Sequence, residues 1–415
     1  MKNVLIAPCW PSPEFKAFHK TLRRITPEAL ADIITFNNAS TSSEIHFQVY
    51  DDAFLAILGQ NPSFSLILSS ANSSFPQFHE AAILASTTPP VLFVSSNQFN
   101  FTGIDSPDTN QKAVVISRIT QDSISQNWTS EFITPTGSEI HLANGGTVSP
   151  DGSLIFCAQG DIANPGGLLR LNPTAPFETT NLINNYMGVP FNSLNDVVRT
   201  SDGALWFTDP QFGFLQKIWP APQLPAQVYR WFPGTTDIRV VADGFAAPNG
   251  IAFSPDEKTA YITDTAQSPE APTASKTIYA YDVTSGPGPL LANRRTFAMP
   301  SVGIPDGIKT DKAGNVYAGC GDGVNVCKSH NSKGSNPALF TARALIFDAP
   351  AKTSFKASSA NILDGGNLQG KLLGKILVPG GAANFALGEN GMVFMLNENK
   401  LFLATLAGNA TNTGP

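Results

Sequence analysis

A hairpin signature that returns at a near-constant interval constrains this chain more than any other feature. Turn residues followed by an apolar or aromatic run occur as SPDGSLIFCAQ at 149–159, TSDGALWFTDP at 200–210 and SPDEKTAYITDT at 254–265. They return as TDKAGNVYAGC at 310–320 and GENGMVFMLNE at 388–398, and a weaker first copy is ILASTTPPVLFVSS at 83–96. Each reads as strand, tight turn, strand, because Asp-Gly or Asn-Gly between apolar runs supplies the backbone freedom that a hairpin turn needs. The turns fall near residues 88, 151, 202, 256, 313 and 390. That spacing, on the order of 50 residues, suits a four-stranded propeller blade. The expected fold is therefore all-β, a six-bladed β-propeller. No helical pattern separates the strands, which argues against a doubly wound parallel sheet.

The propeller is expected to occupy residues 44–415, with FSLILSS (64–70) completing the last blade so that no sheet edge is left open. Residues 1–43 fit no blade and read as an N-terminal extension compatible with one or two short helices. The last interval is longer than the others. Its excess is the Ser-, Lys- and Ala-rich stretch from Cys327 to Asn367, read as an inserted loop at about 327–367 or as misassigned coding sequence. With 34 Gly and 32 Pro, the composition suits many short strands joined by turns.

A net charge of -6 and the lack of a dense Lys/Arg cluster argue against nucleic acid and anionic membranes as partners. Cys9, Cys157, Cys320 and Cys327 are too few and too scattered for a disulfide scaffold. The opening MKNVLIAPCWPSPEF has one Lys and a short apolar stretch broken by Pro8, less than a secretory signal requires, so a cytoplasmic protein is expected. No nucleophile elbow, phosphate-binding loop or dinucleotide fingerprint occurs, so neither Ser-His-Asp catalysis nor a nucleotide cofactor is implied.

A second register runs through the repeats. Seven residues before Asp151, Asp202, Asp256 and Ala313 stand Asn144, Asn195, Asn249 and Asp306. Glu80 lies eight before Thr88, and Asn384 six before Asn390. Each precedes a strand that leads into the hairpin, and in a propeller the innermost strands line one axis. Six oxygen-bearing side chains gathered there are costly to leave unpaired. A hard cation resolves that cost, and Ca²⁺ takes carboxylate and carboxamide oxygens in irregular geometry, although other divalent cations fit the same donors. No His or Cys cluster stands at zinc-ligand spacing.

At these residues the chain resembles the SMP-30/gluconolactonase superfamily, and within it the fungal lactonohydrolases. The motifs are FHEAA, NGGT, NSLNDVV, LWFTDPQFGF, APNGIAFSPD, IPDGI and YAGCGDGVNV. The resemblance implies a six-bladed propeller with a calcium ion on Glu80, Asn195, Asn249 and Asp306. It implies hydrolysis of a small sugar- or pantoyl-type lactone, with an arylesterase, a natural-product lactone enzyme or a non-enzymatic calcium-binding propeller as alternatives. Asn144, Asn195 and Asp196 are the expected substrate contacts, Asp196 alternatively standing behind the ligands. Where such relatives carry His after GCGDGV, Asn325 stands here, a departure expected to alter the site rim.

Asp306 is the first choice for the base that activates water, because an adjacent ion leaves it a free oxygen. His79 is the second, its pKa suiting neutral pH. Strict alternation along a strand would, however, turn His79 away from Glu80 and into the blade.

Overall fold

A computed structural model describes residues 46–100, 112–286, 288–329 and 370–408. The expected N-terminal helices lie outside these residues. The described residues are mainly strands and turns, and six four- or five-stranded sheets, beside two two-stranded ones, have innermost strands that contact one another in a closed ring. The first blade is built from Glu80–Thr87, Pro90–Ser95, Ile116–Gln121 and Trp128–Phe132. The second begins with Ala143–Val148, the third with Val197–Arg199 and the fourth with Pro248–Phe253. Ile308–Thr310 opens the fifth and Asn384–Leu387 the sixth.

Two N-terminal strands close the ring. Ser63–Ser69 pairs antiparallel with Lys400–Thr405 as the outermost strand of the sixth blade, as the sequence suggested. Phe47–Val49 pairs with Lys371–Leu377 and adds a fifth strand to the fifth blade. Strands from both ends of the chain thus share sheets, which removes the exposed edges an open array would present.

The expected hairpins join the first and second strands of their blades. In four of them an aspartate ties the turn: Asp151, Asp202, Asp256 and Asp311 each accept a backbone N–H two residues ahead. Gly152, Gly203 and Gly314 take the left-handed position that follows, at φ 81, 91 and 77°.

The apolar runs after these turns are continuous rather than alternating because the second strands are buried on both faces. Trp206 packs toward Ile251 and Phe253 of the fourth blade, while its neighbour Phe207 packs toward Ile155 and Leu168 of the second. The core is accordingly divided into six clusters, one for each seam between neighbouring blades.

The strand Gly323–Lys328 runs through the start of the expected insertion, so Cys327 is a buried strand residue. Residues 330–369 lie outside the described residues. Cys157, Cys320 and Cys327 are free, buried thiols.

Candidate active site

The polar residues singled out by the repeat register stand where each innermost strand begins, at the opposite face from the hairpin turns. Glu80, Asn144, Asn195, Asn249 and Asp306 line one cavity of about 190 Å³, and His79 lines it with them. Glu80, Asn144, Asn195 and Asn249 are almost wholly buried, while His79 and Asp306 are partly exposed. Asn384 sits beside the cavity rather than in its wall and donates to Glu80 Oε2 at 2.7 Å.

The glycines that follow three of these residues are not turn formers. They let neighbouring inner strands press together around the axis. A Cβ on Gly145 would meet Asn195 O at 2.5 Å, and one on Gly250 would meet Asp306 O at 2.6 Å. One on Gly307 would meet Asn384 Oδ1 at 2.4 Å. Such crowding admits only glycine.

Hydroxyls on second strands then hold the ring from outside. Ser95 Oγ donates to Asn144 O at 3.0 Å, Thr208 Oγ1 to Asn249 O at 2.6 Å and Thr263 Oγ1 to Asp306 O at 2.8 Å. In each case a blade fixes the backbone of the next blade's polar residue. The aspartates beside two of these threonines hold the loops that lead in. Asp209 accepts from Asn192 and Ser193 N–H, and Asp264 from Ala246 and Ala247 N–H.

Strict alternation does not govern His79, because the strand begins only at Glu80. Pairing between the first two strands jumps from Glu80–Ser95 to Ile83–Phe93, and Ala81 and Ala82 take φ of 70 and 50°. This bulge lies beyond Glu80, and His79 and Glu80 both line the cavity. His79 Nε2 stands 4.0 Å from Glu80 Oε1, and Nδ1 stands 2.7 Å from Glu398 Oε1. The expectation that His79 packs inside the blade is therefore corrected.

Two further expectations shift. Asp196 is not among the residues lining the cavity. Its Oδ1 accepts Val197 N–H at 2.9 Å, and its Oδ2 accepts Ile251 N–H at 3.3 Å and lies 3.8 Å from Lys309 Nζ. It ties three inner strands together instead of facing outward. Asn325 is remote from the rim, in a separate hollow with Lys375 and Phe297 between the fourth and fifth blades. Residues that the repeat register did not flag complete the mouth. Gln98 bridges Gln159 and Gln216 at 2.9 and 2.8 Å, while Phe212 and Ile304 supply apolar wall.

Electrostatics set what this cavity can hold. Burial pushes the Glu80 carboxyl up, the charge of Asp306 adds to it, and His79 and the Asn384 amide oppose it. Burial likewise raises Asp306, against the His79 charge and a hydrogen bond from Asn249. For His79, burial acts downward, but the Glu398 hydrogen bond and the charges of Glu80, Glu398 and Asp306 outweigh it and move the pKa upward.

Asn195 Oδ1 and Asp306 Oδ1 are buried and accept no hydrogen bond. These two unpartnered oxygens, one of them on Asp306, together with the Glu80 carboxyl that burial also drives toward protonation, form a donor set that a hard divalent cation satisfies. The residues present fit such an ion.

Residues 106–336 match the family described as the SMP-30/Gluconolactonase/LRE-like region. The chain belongs to this family. Its relatives include proteins of a fungus and of a bacterium. It is 30% identical over 335 residues to the lactonohydrolase oryL of Aspergillus oryzae, covering 74% of this chain and 72% of that one. A gluconolactonase of Zymomonas mobilis is 34% identical over 154 residues, 35% of this chain and 41% of its own length. The solved gluconolactonase of Xanthomonas campestris superposes with a TM-score of 0.59 at 24% identity, over 89% of this chain and 99% of that one. This last likeness speaks to the SMP-30/gluconolactonase fold.

Proposed function

We propose that this chain is a calcium-dependent lactonase that opens a small sugar- or pantoyl-type lactone to the hydroxy acid. The reading is supported by relatives named lactonohydrolase and gluconolactonase. The observation that carries it is the meeting of Glu80, Asn195, Asn249 and Asp306 in one buried cavity with two oxygens unpartnered.

Those four residues would hold the ion. The chemistry supplied by calcium when bound is polarisation of the lactone carbonyl and relief of the negative charge that collects on its oxygen. Asp306 takes a proton from the attacking water through the carboxylate oxygen not given over to the cation, as that water's oxygen bonds to the carbonyl carbon. The acyl carbon–ring oxygen bond then breaks, and His79, on the same cavity wall, gives the departing alkoxide its proton. Return of the Asp306 proton to His79 through solvent restores both groups. Asn144 and the Gln98–Gln159–Gln216 bridge line the space where hydroxyls of the substrate would be bound.

The test is turnover of gluconolactone, pantolactone and phenyl acetate by the purified protein, before and after EDTA treatment. Opening of a lactone that falls about a hundredfold or more in EDTA and returns with calcium is the expected result. Preference for phenyl acetate would favour an arylesterase. Calcium uptake without turnover of any ester would leave a non-enzymatic propeller.

A further inference from the structure

We propose that Glu398 is a positioning residue for this reaction: from the sixth blade it reaches across the seam that closes the propeller and fixes the His79 ring of the first blade with Nε2 toward the cavity. The inference rests on the lactonase reading for its kinetic consequence, but the contact itself does not.

Glu398 sits at the turn between Met392–Asn397 and Lys400–Thr405, held at φ 50°. Its backbone carbonyl accepts Phe78 N–H at 2.7 Å, an isolated bridge one residue before His79. One carboxylate oxygen accepts His79 Nδ1 at 2.7 Å and the other accepts Asn97 Nδ2 at 3.0 Å. Asn97 is itself anchored, its N–H donating to Pro76 O at 3.0 Å. Backbone and both carboxylate oxygens are thus engaged around one imidazole.

An imidazole ring has two nitrogens and a soft χ2, so only a partner on one of them decides which faces outward. With Nδ1 tied to Glu398, Nε2 is the nitrogen on the Glu80 side, 4.0 Å from its Oε1. Packing does not account for this carboxylate, because the Glu398 side chain is 41% exposed. Partly exposed ion pairs contribute little to stability. Orientation of His79 is what remains for it to do. The turn residues Asn-Glu-Asn gave no hint of this from sequence, since the partner lies more than three hundred residues away in the chain.

The experiment compares E398A, E398Q, H79A and the double variant H79A/E398A in the calcium-loaded protein. Expected results are a kcat loss on the order of a hundredfold for E398A with KM nearly unchanged, as for loss of a proton-transfer partner. E398Q, which keeps an acceptor for Nδ1–H, recovers part of that loss. The double variant is no slower than H79A alone. Calcium uptake by calorimetry stays at the parent value in all four.

Independently of activity, proton NMR of the parent protein shows an exchange-protected imidazole N–H signal that disappears in H79A and E398A. Full activity in E398A, additive losses in the double variant, or loss of calcium uptake in E398Q overturns the positioning role. If the parent protein opens no lactone, the lactonase reading falls, while the NMR signal still decides whether Glu398 orients His79. Should E398A fold poorly, E398Q carries the same comparison.

Discussion

D306N is expected to lower lactone turnover by about a thousandfold or more while leaving the propeller folded, because it removes the proton acceptor and the negative charge of an ion ligand together. The amide keeps the shape of the side chain. It also removes one of two carboxylates that burial drives toward protonation. Two like charges in a desolvated cavity oppose folding unless a cation or a proton neutralises them. In metal-free buffer the variant is therefore expected to melt at or slightly above the parent temperature.

Calcium reverses the order. The parent gains about 2.7 kcal/mol at a hundredfold excess over Kd by binding the folded state alone, and D306N, with one charge fewer among the ligands, gains less at the same calcium concentration. Melting curves with and without calcium, beside lactone turnover, check both halves. Parent-level turnover in D306N would remove Asp306 from the reaction.

G250A is the second large expectation. Its Cβ would meet Asp306 O at 2.6 Å and Ile308 N at 3.0 Å, both backbone atoms of the next blade's inner strand. Neither can rotate away, so the fourth and fifth blades must separate at the axis. The expected cost is about 1–3 kcal/mol of stability, with calcium uptake and turnover lost as Asp306 shifts.

G152A is the matching control at the hairpin face. A Cβ there meets nothing within 4 Å, although φ is +81°. It should cost about 1 kcal/mol of backbone strain and leave turnover intact. Denaturant midpoints and turnover of the two variants check the pair. Equal effects from both would mean that the axial glycines serve no close contact.

The hairpin repeat made the blade count legible, because turn chemistry at Asp151, Asp202 and Asp311 is local and survives in sequence. The polar ring was legible for the same reason: its members keep a fixed distance from those turns. What escaped depends on contacts between blades. Asn-Gly at 249–250 looks like any turn dipeptide until the approach of Asp306 is known. Asp196 follows Asn195 directly, yet it bonds downward to Ile251 N–H and faces Lys309.

For His79 the period-two rule misleads because the strand begins only at Glu80, leaving His79 outside its alternation. Glu398 could not be flagged at all, since only ring closure brings the sixth blade to the first. Resemblance puts Asn325 at the rim, whereas its strand partner is Lys375 and the two line a separate hollow.

That side chains from separate blades share one cation is tested most directly by a crystal structure of the protein grown in calcium. A single ion at calcium–oxygen bonding distance from Glu80, Asn195, Asn249 and Asp306 is the predicted result. At saturating calcium, Asn195 Oδ1 and Asp306 Oδ1 bonded only to water, with the ion elsewhere or absent, would contradict it.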